Sequence, residues 1–308
     1  MISVLIPTKN EECDLPGCLT SVSWSDDVHV YDSGSTDATA AIAARAGAQF
    51  FVRCPGNGQE AFGGNEAEHK NWPLANLRFK HDWVLHLDAD ERVSPELASN
   101  LLQAVRSPGA KVAFRLQRRD FWGHSWLKHV QTSSYYLRLF RPEKMRYERL
   151  INPVSLPDGP VGELAGYLDH YPFSKGMTHW LNRHNSYSSL EAQQIVNNRA
   201  AGQAFRPTRA LFGRDVIERR FHQKELFYRM PARPVVKFLL LYLGKRGFLD
   251  GRAGLQYALL QSFYEYMIVL KTKELTLKLA PSAPLPELSP NPEITSLETF
   301  HPGSGRNH

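Results

Sequence analysis

The chain has 308 residues, of which 42% are hydrophobic and 22% charged, enough to bury the core of one large α/β domain with a smaller appendage. Its net charge of +6 suits anionic partners, whether nucleic acid, a membrane surface or phosphorylated substrates. Three cysteines, Cys13, Cys18 and Cys54, without a C-x-x-C pair argue against a disulfide framework and for reduced thiols in a cytosolic protein. No basic region followed by a long apolar stretch opens the chain, so no signal peptide is expected. The longest apolar run of the C-terminal third, residues 238–243, is far short of the roughly 20 residues that span a bilayer.

Residues 3–6 read as a buried strand ended by Pro7, and Leu15, Leu19 and Val22 follow at helical spacing. Residues 28–31 form a second strand, closed by Asp32-Ser33-Gly34-Ser35, and residues 37–46 an Ala-rich helix. Residues 50–52 and 83–87 are the third and fourth strands. Residues 94–105 form a helix with Ser94 as N-cap and Leu97, Leu101 and Val105 on one face. Strands alternating with helices imply βαβ units and a mostly parallel sheet flanked by helices.

The middle of the chain changes character. Residues 112–116 and 135–140 read as strands separated by the aromatic and basic stretch 118–129, and residues 175–200 as a helix. Between residues 199 and 252 there are 13 Lys/Arg against 4 Asp/Glu, with apolar residues interleaved. A very apolar helix over 254–271 follows, and the Pro- and Ser-rich end from Pro281 is expected to be disordered. The expected division is an α/β domain over 1–200, a basic helical appendage over 201–275 and a loose tail over 276–308.

In an open parallel sheet, ligands sit beyond the carboxyl ends of the strands. Three polar clusters fall there: Pro7-Thr8-Lys9-Asn10-Glu11, Asp32-Ser33-Gly34-Ser35-Thr36-Asp37 and Asp88-Ala89-Asp90-Glu91. Any one alone is a solvated turn; three on one rim point to a site. A nucleoside diphosphate leaves readily only when its charge is neutralised. A hard cation, Mg²⁺ or Mn²⁺, does this and takes carboxylate ligands, which Asp88 and Asp90 supply. Asp32 is placed to meet a base or ribose, and the Gly34 turn lets backbone approach a ligand.

Together with Lys70-Asn71-Trp72, these motifs resemble glycosyltransferase family 2 with the GT-A fold, and most closely its bacterial lipopolysaccharide-core β-glycosyltransferases. Residues 246–254 and 263–267 support that subgroup, and the resemblance covers residues 1–272. It implies an inverting displacement in which an acceptor hydroxyl attacks the anomeric carbon of a nucleotide sugar, UDP-linked by the same resemblance. Carried over, Pro7, Thr8, Asn10 and Glu11 line the nucleotide pocket, Asp32 contacts the nucleoside, and Lys70 lies near the diphosphate. Asp88 faces the donor sugar or ribose, Asp90 is the main metal ligand, and His170 helps hold metal or diphosphate. The acceptor it implies is a lipopolysaccharide-core or other lipid-linked glycan at the cytoplasmic face of a membrane.

One departure stands out. Where relatives carry a His-Glu pair whose glutamate is the natural general base, this chain has Asn152-Pro153, and proline cannot take a proton. Glu148, Asp158 and Glu163 remain as alternatives. Trp122, Trp126 and His129 are either acceptor-pocket or core residues. The basic stretch either meets an anionic membrane, grips a phosphorylated acceptor or forms a solvated face; no motif supports nucleic acid. Two readings compete with transfer. A sugar-nucleotide pyrophosphorylase would carry a Gly-rich phosphate loop after the first strand, which this chain lacks. A weakened nucleotide-sugar-binding or scaffold protein is suggested by Asn152-Pro153.

Overall fold

The computed structural model describes residues 1–54, 65–148, 153–200, 205–212 and 215–279. Strand β1 (Ser3–Thr8) is apolar on both faces because it lies inside the sheet. It pairs in parallel with β2 (Val28–Asp32) on one side and β4 (Val84–His86) on the other, and β3 (Gln49–Val52) extends the parallel run beyond β2. Helices α1 (Leu15–Ser21), α2 (Thr39–Arg45) and α3 (Glu66–Asn76) make the connections. These strands correspond to the expected ones, and all four run the same way.

The chain continues through β5 (Glu91–Val93), α4 (Pro95–Arg106), β6 (Ala113–Trp122), β7 (Ser125–Trp126), β8 (Tyr135–Phe140), β9 (Met145–Glu148), β10 (Val154–Pro157) and β11 (Val161–His170). The strand order is β3-β2-β1-β4-β8-β6-β11-β5, with β7 pairing β6 and β9 with β10 forming a separate hairpin. Strand β8 is antiparallel to both β4 and β6, and β11 is parallel to β6. Two reversals cancel, so β6 and β11 end on the same rim as β1, β2 and β4. The stretch 118–129, expected between strands, is the end of β6 plus a tight hairpin.

Alternation along β1 divides the core. Val4 and Ile6 face α1 and α4, with Leu85, Leu97, Leu101 and Leu116; Leu5 faces the other way, with Tyr31, Phe140 and Tyr147. Ser94 caps α4 as expected, its hydroxyl accepting from the Leu97 N–H at 3.3 Å. Strand β11 carries a bulge between Leu164 and Tyr167, where Gly166 has φ +93°. A Cβ there would lie 2.8 Å from the Leu97 backbone, so only glycine lets α4 cross this close.

The helical layer comprises α5 (Gly176–Ala200), α6 (Pro207–Phe212), α7 (Val216–Arg229), α8 (Arg233–Leu239) and α9 (Gly251–Leu279). A π turn at Leu240–Gly244 and a 3-10 turn at Gly247–Asp250 join α8 to α9. Helix α5 packs along α9, which joins Gly176–Ala200 to the helical layer. Helix α9 runs past 275 to Leu279, and the tail beyond lies outside the described residues.

Asp250 docks this layer on the sheet. Its carboxylate accepts from the N–H groups of His129 at 2.9 Å and Val130 at 2.8 Å, and pairs with His129 Nδ1 at 2.6 Å. Trp122 packs with Leu127, Val130 and Leu241, so Trp122 and His129 join the layers. Trp126 lies under the Arg119 guanidinium, 5.4 Å from its ring centroid.

At the opposite end of the parallel strands, Asp27 is 3% exposed and fully engaged. It accepts from Ser3 Oγ at 2.5 Å, the Lys80 N–H at 2.8 Å and Gln49 Nε2 at 2.9 Å, and pairs with His29 Nε2 at 2.9 Å. Burial opposes its charge, yet the bonds from Ser3, Lys80 and His29 outweigh burial and hold its carboxyl below the ordinary value. A lowered folded-state value contributes stability that is fully present above the unfolded value of about 3.9 and is lost as pH falls from there through the folded value. Asp27→Asn is expected to cost about 1–3 kcal/mol in urea unfolding at neutral pH. The variant should also show a shallower loss of stability below about pH 4.

Candidate active site

The rim is assembled from the loops that leave β1, β2 and β4 and from the ends of β6, β8 and β11. After β1, Asn10 adopts a left-handed φ of 55°. Asparagine tolerates this because its side chain bonds locally. Its amide oxygen accepts from the Thr36 N–H at 2.8 Å and its own N–H donates to Ser35 Oγ at 2.8 Å. Lys9 Nζ donates to the carbonyls of Ser33 and Gly34 at 2.8 and 2.7 Å. The first two expected clusters are therefore one interlocked loop pair.

Asp32 is the hub of that pair. It is 1% exposed. It accepts from Thr8 Oγ1 at 2.8 Å, Ser35 Oγ at 2.5 Å, the Gly34 N–H at 2.8 Å and the Ser35 N–H at 2.7 Å. Its partners are all internal to the rim, so it shapes the loop. Pro7 lies within β1 opposite Tyr31, and Thr8 is buried against Asp32.

The third cluster turns from β4 into β5 and meets Arg138, which projects from β8. Arg138 is 7% exposed. Its Nη2 donates to Glu91 Oε1 at 2.7 Å and to Asp88 Oδ2, while Nη1 reaches His86 Nδ1 at 3.1 Å and Asp88 Oδ1 at 3.3 Å. For Asp88, burial opposes the charge but Arg138 and Lys70 prevail, and the carboxyl sits well below its ordinary value. Fully buried Glu91 goes the other way, its carboxyl raised by burial despite Arg138. Burial and the cations Lys70 and Arg138 keep His86 neutral. Lys70, on α3, has its ammonium lowered by burial against the pull of Asp88, and its Nζ lies 5.4 Å from the Tyr147 ring centroid.

Asp90 has a different partner. Its Oδ2 lies 3.2 Å from His170 Nε2, and His170 Nδ1 lies 2.5 Å from Asp120 Oδ1. Burial disfavours the imidazolium, but the flanking carboxylates overcome it and push the His170 pKa up to about 9. Burial likewise opposes charge on Asp90 and Asp120, and the bond from His170 brings both below their ordinary values. Arg118 Nε lies 3.1 Å from Asp120 Oδ1. Glu11 also faces this group. Burial raises its carboxyl to about 7, even though Lys175 Nζ donates to it at 2.6 Å.

A cleft of about 150 Å³ opens beside this line, between the rim and the helical layer. Asp120, His170, Arg118, Arg183, Trp180 and Tyr257 are among its walls. It combines carboxylate, cationic and aromatic groups, which suits a polyhydroxylated or anionic ligand.

Among the described residues, no group of three or more His, Cys, Asp or Glu side chains is disposed to hold a metal ion. Asp88 has both oxygens committed to Arg138. The pair open to a hard cation is Asp90 with His170, one quarter and one eighth exposed, and an ion bound there would displace the proton that His170 Nε2 shares with Asp90. Such an ion would complete its shell from phosphate oxygens and water.

The structure thus brings together Thr8, Asn10, Glu11, Asp32, Lys70, Asp88, Asp90 and His170. It separates Asp158 and Glu163 from them. Asp158 precedes β11 and pairs with Lys144 Nζ at 2.9 Å. Glu163 lies opposite Arg115, seven residues before His170 and so about 20 Å from the rim. Glu148 ends β9 with its carboxylate 3.1 Å from Arg146 Nε, on the strand face opposite Tyr147. Asn152 lies outside the described residues, and Pro153 leads into β10. Sequence reasoning missed Arg138, Asp120, Arg118 and Lys175. Only Arg138 left a signal, a charge in the apolar strand Tyr135–Phe140.

The glycosyl transferase family 2 model matches residues 3–159. The chain is 26% identical over 272 residues to the lipopolysaccharide core biosynthesis glycosyltransferase LpsC of Rhizobium meliloti (strain 1021), covering 84% of this chain and 89% of that one. It is 25% identical over 293 residues to an uncharacterized glycosyltransferase of Rickettsia typhi, covering 90% and 88%. A glucosyl-3-phosphoglycerate synthase from Mycobacterium tuberculosis, solved with Mn²⁺ and UDP-glucose, is similar at 26% identity and a TM-score of 0.32. That match covers 39% of this chain and 44% of that one.

Removing Arg138 leaves buried Glu91 without its main partner. Arg138→Gln is expected to lower stability by about 3–5 kcal/mol in urea unfolding. Adding Glu91→Gln should recover part of that loss.

Proposed function

Since the chain belongs to glycosyl transferase family 2, we propose that it is an inverting, metal-assisted hexosyltransferase. It moves a hexose from a nucleotide sugar, UDP-linked, to a lipopolysaccharide-core or other lipid-linked glycan. It works from the cytoplasm at an anionic membrane face, the partner suited to its basic appendage. The relative LpsC, a lipopolysaccharide core biosynthesis glycosyltransferase, supports the acceptor class. The observation that carries the reading is the division of Asp88 from Asp90. Arg138 takes both oxygens of Asp88, while Asp90 meets His170 through Oδ2, beside an open cleft.

Each group then has a task. The loop closed by Asp32 and Asn10, with Pro7 and Thr8 behind it, shapes the nucleotide side. Lys70 offers positive charge next to Asp88, where the diphosphate or donor sugar would lie. Asp90 and His170 would hold Mg²⁺ or Mn²⁺, which supplies charge neutralisation to the leaving diphosphate. Glu11 and Lys175 set the electrostatics behind Asp90.

The acceptor enters the cleft lined by Arg118, Asp120, Arg183 and Tyr257. Its hydroxyl oxygen bonds to the anomeric carbon, the bond to the diphosphate breaks with its electron pair, and the hydroxyl proton needs a base. Asp120 is the carboxylate of the cleft and remains ionised beside His170 and Arg118. Glu148 is the second candidate, because its hairpin leads into the segment where relatives place their base. Asp158 and Glu163 lie too far from the rim to serve.

A screen of nucleotide sugars with Mn²⁺, reading released nucleoside diphosphate, is expected to identify one donor. Nucleotide binding with neither hydrolysis nor transfer would instead make the chain a binding protein. Asp90→Ala is expected to abolish metal-dependent nucleotide binding, and unchanged affinity contradicts the metal assignment. Asp120→Asn is expected to cut turnover about 10²-fold or more while nucleotide affinity holds. Retained turnover there, with loss in Glu148→Gln, transfers the role to Glu148.

A further inference from the structure

Helix α9 carries two opposed surfaces. Ala258, Glu265, Ile268 and Thr272 are buried in the fold, and Tyr257 and Gln261 line the cleft beside Asp120 and His170. The outer side carries Leu255, Leu259, Phe263, Tyr266, Leu270 and Leu277, each between 36% and 74% exposed. At about 100° per residue these six fall within an arc of about 80°, on the side of the helix away from Tyr257 and Gln261. They run about 33 Å along the axis.

The apolar surface continues beyond α9. Val235 and Leu239 of α8, Leu240 and Leu243 of the π turn, and Phe248 and Leu249 of the 3-10 turn are 45–56% exposed. Val235 and Tyr266 line one recess, so the two sets adjoin, and clustered exposed apolar side chains of this kind mark an interaction surface. Among the described residues no helix is long and apolar enough to cross a membrane. The face is therefore suited to lying in an interface, not to spanning one.

Charge identifies the occupant. Arg252 and Lys273 fall in the same arc as the apolar stripe, and Arg246 is exposed near one end of it. The acids of these elements are already paired: Asp250 with His129, buried Glu265 with Arg233, and Glu274 with Lys278. A second copy related by a twofold axis would set these cations against one another. Anionic headgroups would neutralise them. A recess of about 550 Å³ beside the stripe has Tyr266, Val269 and Met230 among its walls, together with Arg199 and Lys273.

We propose that the face formed by α8, the two turns after it and the outer side of α9 docks the chain on an anionic bilayer. The apolar stripe enters the headgroup region and the flanking Lys and Arg meet lipid phosphates. This differs from the centre of the basic stretch. There Lys224 lies 3.8 Å from Glu191, Arg229 lies 3.9 Å from Glu225, and Arg233 is buried against Glu265. Docking would place the cleft one helix thickness, about 10–12 Å, above the lipid surface, within reach of a lipid-linked glycan. The inference rests on the membrane-surface part of the proposed function and is independent of its chemistry.

The test is flotation of the purified full chain with vesicles of phosphatidylcholine alone or mixed with phosphatidylglycerol. The wild type is expected to float with the mixed vesicles. Leu243→Glu with Leu259→Glu should reduce partitioning about tenfold or more, and Arg252→Glu with Lys273→Glu should remove the preference for phosphatidylglycerol. Both variants should keep the wild-type melting temperature and nucleotide-sugar turnover. A wild type that does not float, or a leucine variant that floats equally well, overturns the proposal. So does a wild-type dimer that the leucine variant splits without any vesicle binding, which assigns the face to a second copy. If vesicle binding behaves as expected while no donor turns over, the docking face stands and the transfer reading falls.

Discussion

A buried guanidinium holds this site together. Four acidic groups, Asp88, Asp90, Glu91 and Asp120, converge on one end of a sheet, where burial strengthens their mutual repulsion. Arg138 takes Asp88 and Glu91, and the His170 imidazolium takes Asp90 and Asp120. Arg118 adds contacts to Asp120 at 3.1 Å and Glu91 at 3.8 Å, so three cations are spread over four carboxylates. Breaking such a pair is costly because the remaining charge stays in low dielectric. The arrangement also requires β8 to lie between β4 and β6, since only a strand next to β4 can bring Arg138 to Asp88.

That requirement explains the mixed sheet. An all-parallel continuation would put another strand end next to β4. The antiparallel β8 instead presents its interior Arg138 to the Asp88 turn, and a second reversal returns β6 and β11 to the original direction. Their ends bring Asp120 and His170 to the rim, as partners in the same β6–β11 ladder. The two ends of the sheet consequently differ in role. At the amino end, Asp27 spends its carboxylate on four internal partners, while at the carboxyl end Asp90 and Asp88 retain partial exposure. Asp32 is the exception at the carboxyl end, because its four bonds fix the loop.

The helical layer follows the same economy of surfaces. Asp250 ties it to the sheet beside the cleft, and α9 then separates that cleft from an apolar exterior. A single helix can do both because its period sets residues two apart on nearly opposite sides. Leu255 and Tyr257 illustrate this, the first facing outward and the second lining the cleft.

The sequence alone determined the α/β class, the strands β1 to β4, the Ser94 cap and the three rim clusters. Those features are written in local periodicity and turn chemistry, which act over a few residues. It also marked the basic stretch, but could not say which of its cations were already spent on Glu191, Glu225 and Glu265. Tertiary structure decided the partners: Arg138 for Asp88, 50 residues away, and Asp120 for His170, also 50 residues away. It likewise removed Asp158 and Glu163 from the rim and split Asp88 from Asp90. These outcomes depend on strand order and direction. Both are fixed by the packing of the whole sheet, and no window of sequence carries them.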